Sequence, residues 1–312
     1  MIKVENLSKS FGPKVAVDNV SFHVRRGEVL GFIGPNGAGK STTMRIITGF
    51  FPSSEGAVFI DGVNMAESPL AAKAKIGYLP ESAPLYTNKT VYEFLSFAAD
   101  IRGFKGEEKQ SRINDAVAKC FLEPVLHQSI DTLSKGYKHR TCFAQAILHD
   151  PDVLILDEPT DGLDPNQKRE VRNLIKAMGK TKAIIISTHI LEEVEAVASK
   201  VVLISAGKKV FEGTSAELKA KSDKAGTVTL TINGVDSELA RATLSNLASV
   251  NGVEIAGGEV FSITPKDNSI HTSREVLDCA TQKGWSVEEF SIDKGRLDEV
   301  FHKLTICDGE VI

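Results

Sequence analysis

The sequence predicts an α/β chain in two parts: a sheet-and-helix domain over residues 1–220 with a helical subdomain inserted in it, and a smaller α+β domain over 226–306. Three observations carry this. Short runs made wholly of apolar residues, at 29–33 (VLGFI), 153–156 (VLIL) and 183–186 (AIII), have the form of parallel strands buried on both faces. Helical patterns lie between and after them, as in a sheet covered by helices. A polar, small-residue stretch at 219–226 (KAKSDKAG) then reads as a linker, beyond which the order of elements changes.

Taken in order, the run at 29–33 enters a Gly-rich loop, and 41–48 continues as a helix. Residues from about 91 to 129 read as mostly helical and interrupt the strand pattern, which marks the insert. Between the apolar runs at 153 and 183, residues 166–178 carry mixed charges at helical spacing. Past the linker, 227–233 (TVTLTIN) alternates like a half-buried strand and 237–247 has helical spacing. Strands at 253–255 and 260–264 flank the turn Gly257-Gly258, followed by a helix at 273–282, a strand at 285–292 and a last helix at 297–304. That order, βαββαβ plus a helix, predicts a ferredoxin-like sandwich.

The bulk composition fits a globular protein. Of 312 residues 42% are hydrophobic and 25% charged, and the net charge of −4 argues against a protein that binds nucleic acid through a basic surface. No stretch approaches the roughly 18 apolar residues of a membrane span, and the opening residues, MIKVENLSKSFG, lack the apolar core of a secretory signal. The expectation is a soluble intracellular chain. Cys120, Cys142, Cys279 and Cys307 are scattered, with neither metal-type pairs nor a disulfide framework, and read as structural thiols.

The chemistry is concentrated in a few motifs. Gly34-Pro35-Asn36-Gly37-Ala38-Gly39-Lys40-Ser41 has the form GxxxxGK[ST] and stands between an apolar strand and a helix, the setting a P-loop requires. Glycines there let backbone N–H groups turn inward on phosphate oxygens, and the helix N-terminus adds partial positive charge. Lys40 is predicted to reach the β and γ phosphates, Ser41 to bind Mg²⁺, and Thr42 to complete the nucleotide-binding stretch. Later, 153–156 ends in Asp157-Glu158. A buried strand delivers Asp157 beside the loop to hold Mg²⁺ through water, and Glu158, one residue on, to orient and deprotonate the attacking water. An acid pair capping a turn is the bland reading of Asp157-Glu158, and the P-loop upstream weighs against it.

Those motifs specify a P-loop NTPase and no subfamily. Leu133-Ser134-Lys135-Gly136-Tyr137, Asp157-Glu158-Pro159-Thr160-Asp161-Gly162-Leu163-Asp164-Pro165 and Ser187-Thr188-His189 complete a set that resembles the ABC ATPases over residues 2 to about 215. The resemblance implies an ATP-hydrolysing domain that sandwiches ATP between paired subunits and drives export through a separate membrane permease. Phe11 falls where that family stacks an aromatic on adenine. LSKGY stands at the signature, usually LSGGQ, where Ser134 and the Gly136 backbone touch the γ-phosphate held by the other subunit, with a helix expected to start near Tyr137. Lys135 and Tyr137 depart from that pattern. Asp164 matches the aspartate that links the sites across the dimer, and His189 the histidine that contacts the γ-phosphate.

Glu81, in Ile76-Gly77-Tyr78-Leu79-Pro80-Glu81, replaces the family's usual glutamine and is expected either to ligate Mg²⁺ directly or to hold a water on it. With the ending Leu297-Asp298-Glu299-Val300-Phe301-His302-Lys303-Leu304-Thr305, it resembles the ATPases of ABC-2-type exporters, including those associated with gliding motility and with sodium or drug efflux. The resemblance implies a homodimer or a pairing with a related ATPase. It also implies a permease docked between residues 81–86 and the helical insert, and a place at the cytoplasmic face of the cell membrane. The rival is a soluble, non-transport ABC ATPase acting as an ATP-dependent clamp or regulatory module. A single nucleotide-binding domain, no sustained heptad in 42–132, and intact Glu158 and His189 favour transport.

Overall fold

The structure is a computed structural model that describes residues 1–266 and 270–305. Cys307 lies outside the described residues, as does the end of the domain read as 226–306. The chain forms two compact units, Met1–Ser215 with 304–305, and Ala216–Lys303.

The first unit holds two sheets. An antiparallel sheet is built from β1 (Ile2–Phe11), β2 (Lys14–Val24), β4 (Glu55–Ile60) and β5 (Val63–Asn64) in the order β2-β1-β4-β5. The sequence reading anticipated only the helix-covered sheet. Strands β1 and β2 alternate buried and exposed residues, which suits a sheet with one solvated face. The larger sheet runs β10-β9-β3-β8-β7-β6. It comprises β3 (Val29–Ile33), β6 (Ile76–Leu79), β7 (Val153–Asp157), β8 (Ala183–Thr188), β9 (Lys200–Ser205) and β10 (Lys208–Gly213). All its neighbours are parallel except β10, which pairs antiparallel with β9.

Period-2 geometry sends alternate residues of β7 and β8 into different cores. Leu154, Leu156, Ile184 and Ile186 face the core shared with the helical insert. Val153, Ile155, Ala183 and Ile185 face the core shared with the antiparallel sheet and α1 (Lys40–Ile47). Burial on both sides is why these strands read as unbroken apolar runs. After α2 (Pro69–Ala74), the insert comprises α3 (Val91–Ile101), α4 (Gly106–Lys119) and α5 (Lys135–Ile147). A capping box starts α3: Thr90 Oγ1 accepts from the Glu93 N–H at 3.2 Å, and Glu93 accepts from the Thr90 N–H at 2.8 Å. Helix α6 (Pro165–Gly179) joins β7 to β8, and α7 (Leu191–Val197) follows β8.

The second unit takes in α8 (Ser215–Lys219) from its second residue, β11 (Val228–Asn233), α9 (Ser237–Ser245), β12 (Val250–Gly257), β13 (Val260–Pro265), α10 (Ile270–Gln282), β14 (Ser286–Ile292) and all but the last two residues of α11 (Leu297–Thr305). Its antiparallel sheet has the order β12-β13-β11-β14, the arrangement of a ferredoxin-like sandwich. Val228, Leu230 and Ile232 alternate into the core beside Phe261 and Ile263. The stretch read as a linker, 219–226, is instead folded into this unit. Ser222 Oγ donates to Glu299 at 2.9 Å, the Gly226 N–H donates to the Asp293 carbonyl at 2.8 Å, and Ala225 is buried. Polar composition suggested a free segment, and hydrogen bonds made after folding fix it.

Candidate functional site

Parallel pairing puts the C-terminal ends of β3, β7 and β8 side by side, with Ile33 opposite Thr188 and Asp157 opposite Ser187. In open α/β sheets that is the end where ligands bind. From β3 the chain turns through residues 34–39 into α1. Gly37 and Gly39 adopt φ +78° and +103°, and a Cβ on Gly34 would stand 2.4 Å from the Ile204 carbonyl oxygen. Lys40, the first residue of α1, is 7% exposed, and its Nζ donates to the Gly34 carbonyl at 2.8 Å and the Pro35 carbonyl at 3.1 Å. Burial lowers its pKa, opposed by the charges of Glu158, Asp157 and Glu81. Asn36 and Gly37 are exposed, Ala38 is buried, and Ser41 and Thr42 are half-buried in the first turn.

Strand β7 ends at Asp157, 2% exposed. Ser187 Oγ donates to its Oδ1 at 2.7 Å, and Ser41 also hydrogen-bonds it. Burial pushes the Asp157 carboxyl above the usual carboxylate range. The two serine hydrogen bonds pull the other way, and the charges of Glu81 and Glu158 add to the rise. Glu158 adopts φ +49°, and its N–H donates to the Ser187 carbonyl at 2.8 Å. The turn points a nearly buried carboxylate back across the strand ends. One oxygen, Oε1, lies 2.8 Å from His189 Nδ1, and the other accepts from Thr188 Oγ1 at 3.1 Å. His189 is half exposed.

Lys40, Ser41, Asp157, Glu158 and His189 therefore meet at one end of the sheet, with Glu81 exposed but close enough to perturb Lys40 and Asp157. Among the described residues no group of three or more His, Cys, Asp and Glu is arranged to hold a metal on protein ligands alone. One hydroxyl and one carboxylate, Ser41 and Asp157, suit a Mg²⁺ that takes its other ligands from phosphates and water.

The remaining predicted residues lie around this centre. Phe11 ends β1, 44% exposed, with its ring edge-on to Phe51 at 5.6 Å and Lys9 Nζ 5.2 Å from its centroid. Ser134 is the N-cap of α5, which starts at Lys135 rather than near Tyr137, because the Ser134 side chain accepts from the Tyr137 N–H at 3.4 Å. Gly136 is buried, and a Cβ there would meet Gln167 Oε1 at 2.7 Å. Lys135 forms an ion pair with Asp161 at 2.6 Å, and Asp164 caps α6 by accepting from the Gln167 N–H at 2.9 Å.

Sequence reasoning did not single out Ser187, Thr188, Thr160 or Glu193. The first three stand within quoted motifs, but their small polar side chains carry no signal until the strands are paired. Glu193 lies in α7, 2% exposed, and looks like any acid of a charged helix.

The ABC transporter family model matches residues 17–161. An ABC transporter ATP-binding protein of Bacillus subtilis, YxlF, is 32% identical over 97% of this chain and 99% of its own length. The linearmycin resistance ATP-binding protein LnrL of Bacillus subtilis is 32% identical over 82% of each chain. Among solved structures, an ATP-binding subunit of an ABC transporter superposes with a TM-score of 0.66 at 32% identity, covering 70% of this chain and 92% of that one.

Proposed function

Because this chain belongs to the family of ABC transporter ATP-binding proteins, we propose that the residues gathered at the strand ends hydrolyse ATP between paired subunits to drive export through a separate membrane permease. The chain is an ATPase of that family. The observation that carries the site assignment is Glu158, nearly buried, with its carboxylate held by His189 and Thr188 beside the Lys40 loop.

In this reading, residues 34–39 turn backbone N–H groups on the phosphates, and Lys40 moves its Nζ from the loop carbonyls to the β and γ oxygens. Ser41 and Asp157 would hold Mg²⁺, and the charge of Glu81, which already bears on Lys40 and Asp157, would add to the attraction for the ion. The ion, when bound, neutralises charge developing on the transferred phosphoryl group. Glu158 takes a proton from the attacking water. A bond forms from the water oxygen to the γ-phosphorus as the bond to the ADP oxygen breaks. His189 Nδ1 faces Glu158, which leaves the rest of its ring for the γ-phosphate. Phe11 offers a face to adenine. Ser134 and Gly136 act on the ATP of the paired subunit, and Asp164 links the two sites.

Several features support a permease as the further partner. No described helix is long and apolar enough to cross a membrane. A groove of about 620 Å³ is lined by Phe50, Tyr78, Pro84 and Arg102, between the Glu81 segment and the helical insert. Beside it Leu70, Tyr86, Phe97 and Ile101 are exposed at 85%, 54%, 39% and 69%. A short amphipathic helix from a permease fits that surface. Drug-type export through an ABC-2-type permease, with the subunit at the cytoplasmic face, is the specific form proposed.

Glu158→Gln tests the centre of this reading. The amide keeps the shape and loses the base, so turnover falls ~10²–10⁴-fold while ATP binding persists. The variant then accumulates as an ATP-bound dimer on size exclusion. Hydrolysis near the unmutated rate would remove Glu158 from its role.

A further inference from the structure

Glu193 is a buried carboxylate that the ATPase chemistry above does not use. Taking a carboxylate out of water costs several kcal/mol unless it is paired and hydrogen-bonded, and here it is both. Its Oε1 accepts from Thr160 Oγ1 and forms ion pairs with Lys168 Nζ at 3.3 Å and Arg172 Nη2 at 3.7 Å. Its Oε2 lies 3.5 Å from Thr188 Oγ1. The close seat of α7 on β3 makes this possible. A Cβ on Gly31 would stand 2.5 Å from Val194 Cγ1, so glycine there lets the helix carrying Glu193 descend onto the sheet.

The partners are what make the arrangement informative. Thr188 precedes His189 and its hydroxyl holds Glu158 Oε2 at 3.1 Å. Thr188 Oγ1 also accepts from the Ile190 N–H at 3.1 Å, so its single proton is the one thing it has to give, and two carboxylates face it. Thr160 stands two residues after Glu158 in the turn where Glu158 takes φ +49°. Lys168 and Arg172 belong to α6, the helix capped by Asp164. Glu193 therefore grips the turn that carries Glu158, the strand end that carries His189, and the helix that Asp164 begins.

We propose that Glu193 is a positioning residue for ATP hydrolysis. Through Thr188 and Thr160 it sets the direction of the Glu158 carboxylate, and through Lys168 and Arg172 it ties that direction to α6. A movement of α6 at its Asp164 end is then felt at Glu158 without any contact between Glu193 and nucleotide. The proposal rests on the reading of Glu158 as the base.

The test is steady-state ATPase of the full chain. Glu193→Gln keeps the shape and removes the charge. Misplacing a reacting group by about 1 Å costs ~10²-fold, so kcat should fall ~10- to 100-fold while the KM for ATP changes less than about threefold. Thr188→Val should give a similar loss and Thr188→Ser should restore most of the rate. The double variant Glu193→Gln/Thr188→Val should be no slower than the slower single one, because both remove the same link. Should Glu193→Gln not fold, Glu193→Asp, which keeps the charge and draws the carboxylate back by one methylene, is expected to show the same kcat loss at unchanged KM.

A purely structural role predicts a lowered melting temperature with unmutated kcat in the folded fraction. That result, or losses that multiply in the double variant, overturns the proposal. Glu158→Gln, measured alongside, separates the two readings. If it is inactive while the Glu193 variants turn over normally, only the Glu193 proposal falls. If it is active, Glu158 is not the base and the parent reading falls with it.

Discussion

Gly39 meets two separate demands in the phosphate loop. Its φ of +103° is one that side-chain-bearing residues rarely adopt, and an added Cβ would sit 2.4 Å from the Ala16 carbonyl oxygen of β2. Backbone strain of this kind costs about 1–3 kcal/mol, and here the obstacle is itself backbone and does not swing aside. Gly39→Ala should therefore lower the unfolding free energy by at least ~2 kcal/mol in urea titrations and weaken ATP binding at least ~10-fold. Gly62→Ala is the matching control. Its φ is +79°, with nothing within 4 Å of the new Cβ, so it should lose only ~1–2 kcal/mol and bind ATP normally. Equal losses in the two variants would mean that the approach to β2 adds nothing. The loop itself was legible in the sequence, since glycines at fixed spacing before Lys40-Ser41 have one known use. The reason Gly39 must be glycine, contact with a strand that precedes it by more than a helix turn of chain, was not.

At the scale of elements, α5 is fastened at both ends. Ser134 caps its start, and just past its end His149 Nε2 hydrogen-bonds the Ile76 carbonyl of β6 at 3.1 Å. Burial, helped by the nearby Arg102 guanidinium, pushes the His149 pKa down from 6.5 to about 4. The folded chain thus holds fewer protons than the unfolded chain between those values. The contribution is complete above pH 6.5 and is lost as pH falls toward 4, an effect of about 3 kcal/mol across the window. His149→Gln keeps a donor for Ile76 and does not titrate. Its unfolding free energy, measured in urea from pH 7 to pH 4, should fall by about 3 kcal/mol less than that of the unmutated chain. Parallel curves would show that His149 is not the titrating group. The helix itself followed from residues 138–148 in the sequence. Its start did not, because a serine that caps a helix and a serine in a loop look the same until the first turn forms.

At the scale of the whole molecule, ATP hydrolysis by this family calls for a site completed by a second subunit. On the proposed reading, Lys40→Ala should damage the phosphate loop of its own chain, and Ser134→Ala the site of its partner. In a mixed dimer with one lesion on each chain, both fall on the same composite site and the other stays intact. That dimer should occlude ATP at half the stoichiometry of the unmutated one, whereas a dimer with both lesions on one chain is damaged at both sites. The reverse pattern, half-stoichiometric occlusion only when both lesions share one chain, would place Ser134 in the site of its own chain. The sequence implies this arrangement through two motifs that stand far apart in the chain, residues 34–41 and 133–137.

Some of the molecule is written locally and some is not. The parallel strands, the phosphate loop, Asp157-Glu158 and the βαββαβ order of the second unit each depend on neighbours in the chain, so periodicity and spacing reveal them. The strand order β10-β9-β3-β8-β7-β6, the packing of 219–226 and the role of Glu193 depend on contacts between distant segments. Thr160, Lys168, Thr188 and Glu193 are ordinary polar residues on separate elements. They become one network only when α7 settles on Gly31 and the strand ends come level, since hydrogen bonds reach about 3 Å and no sequence pattern measures that distance.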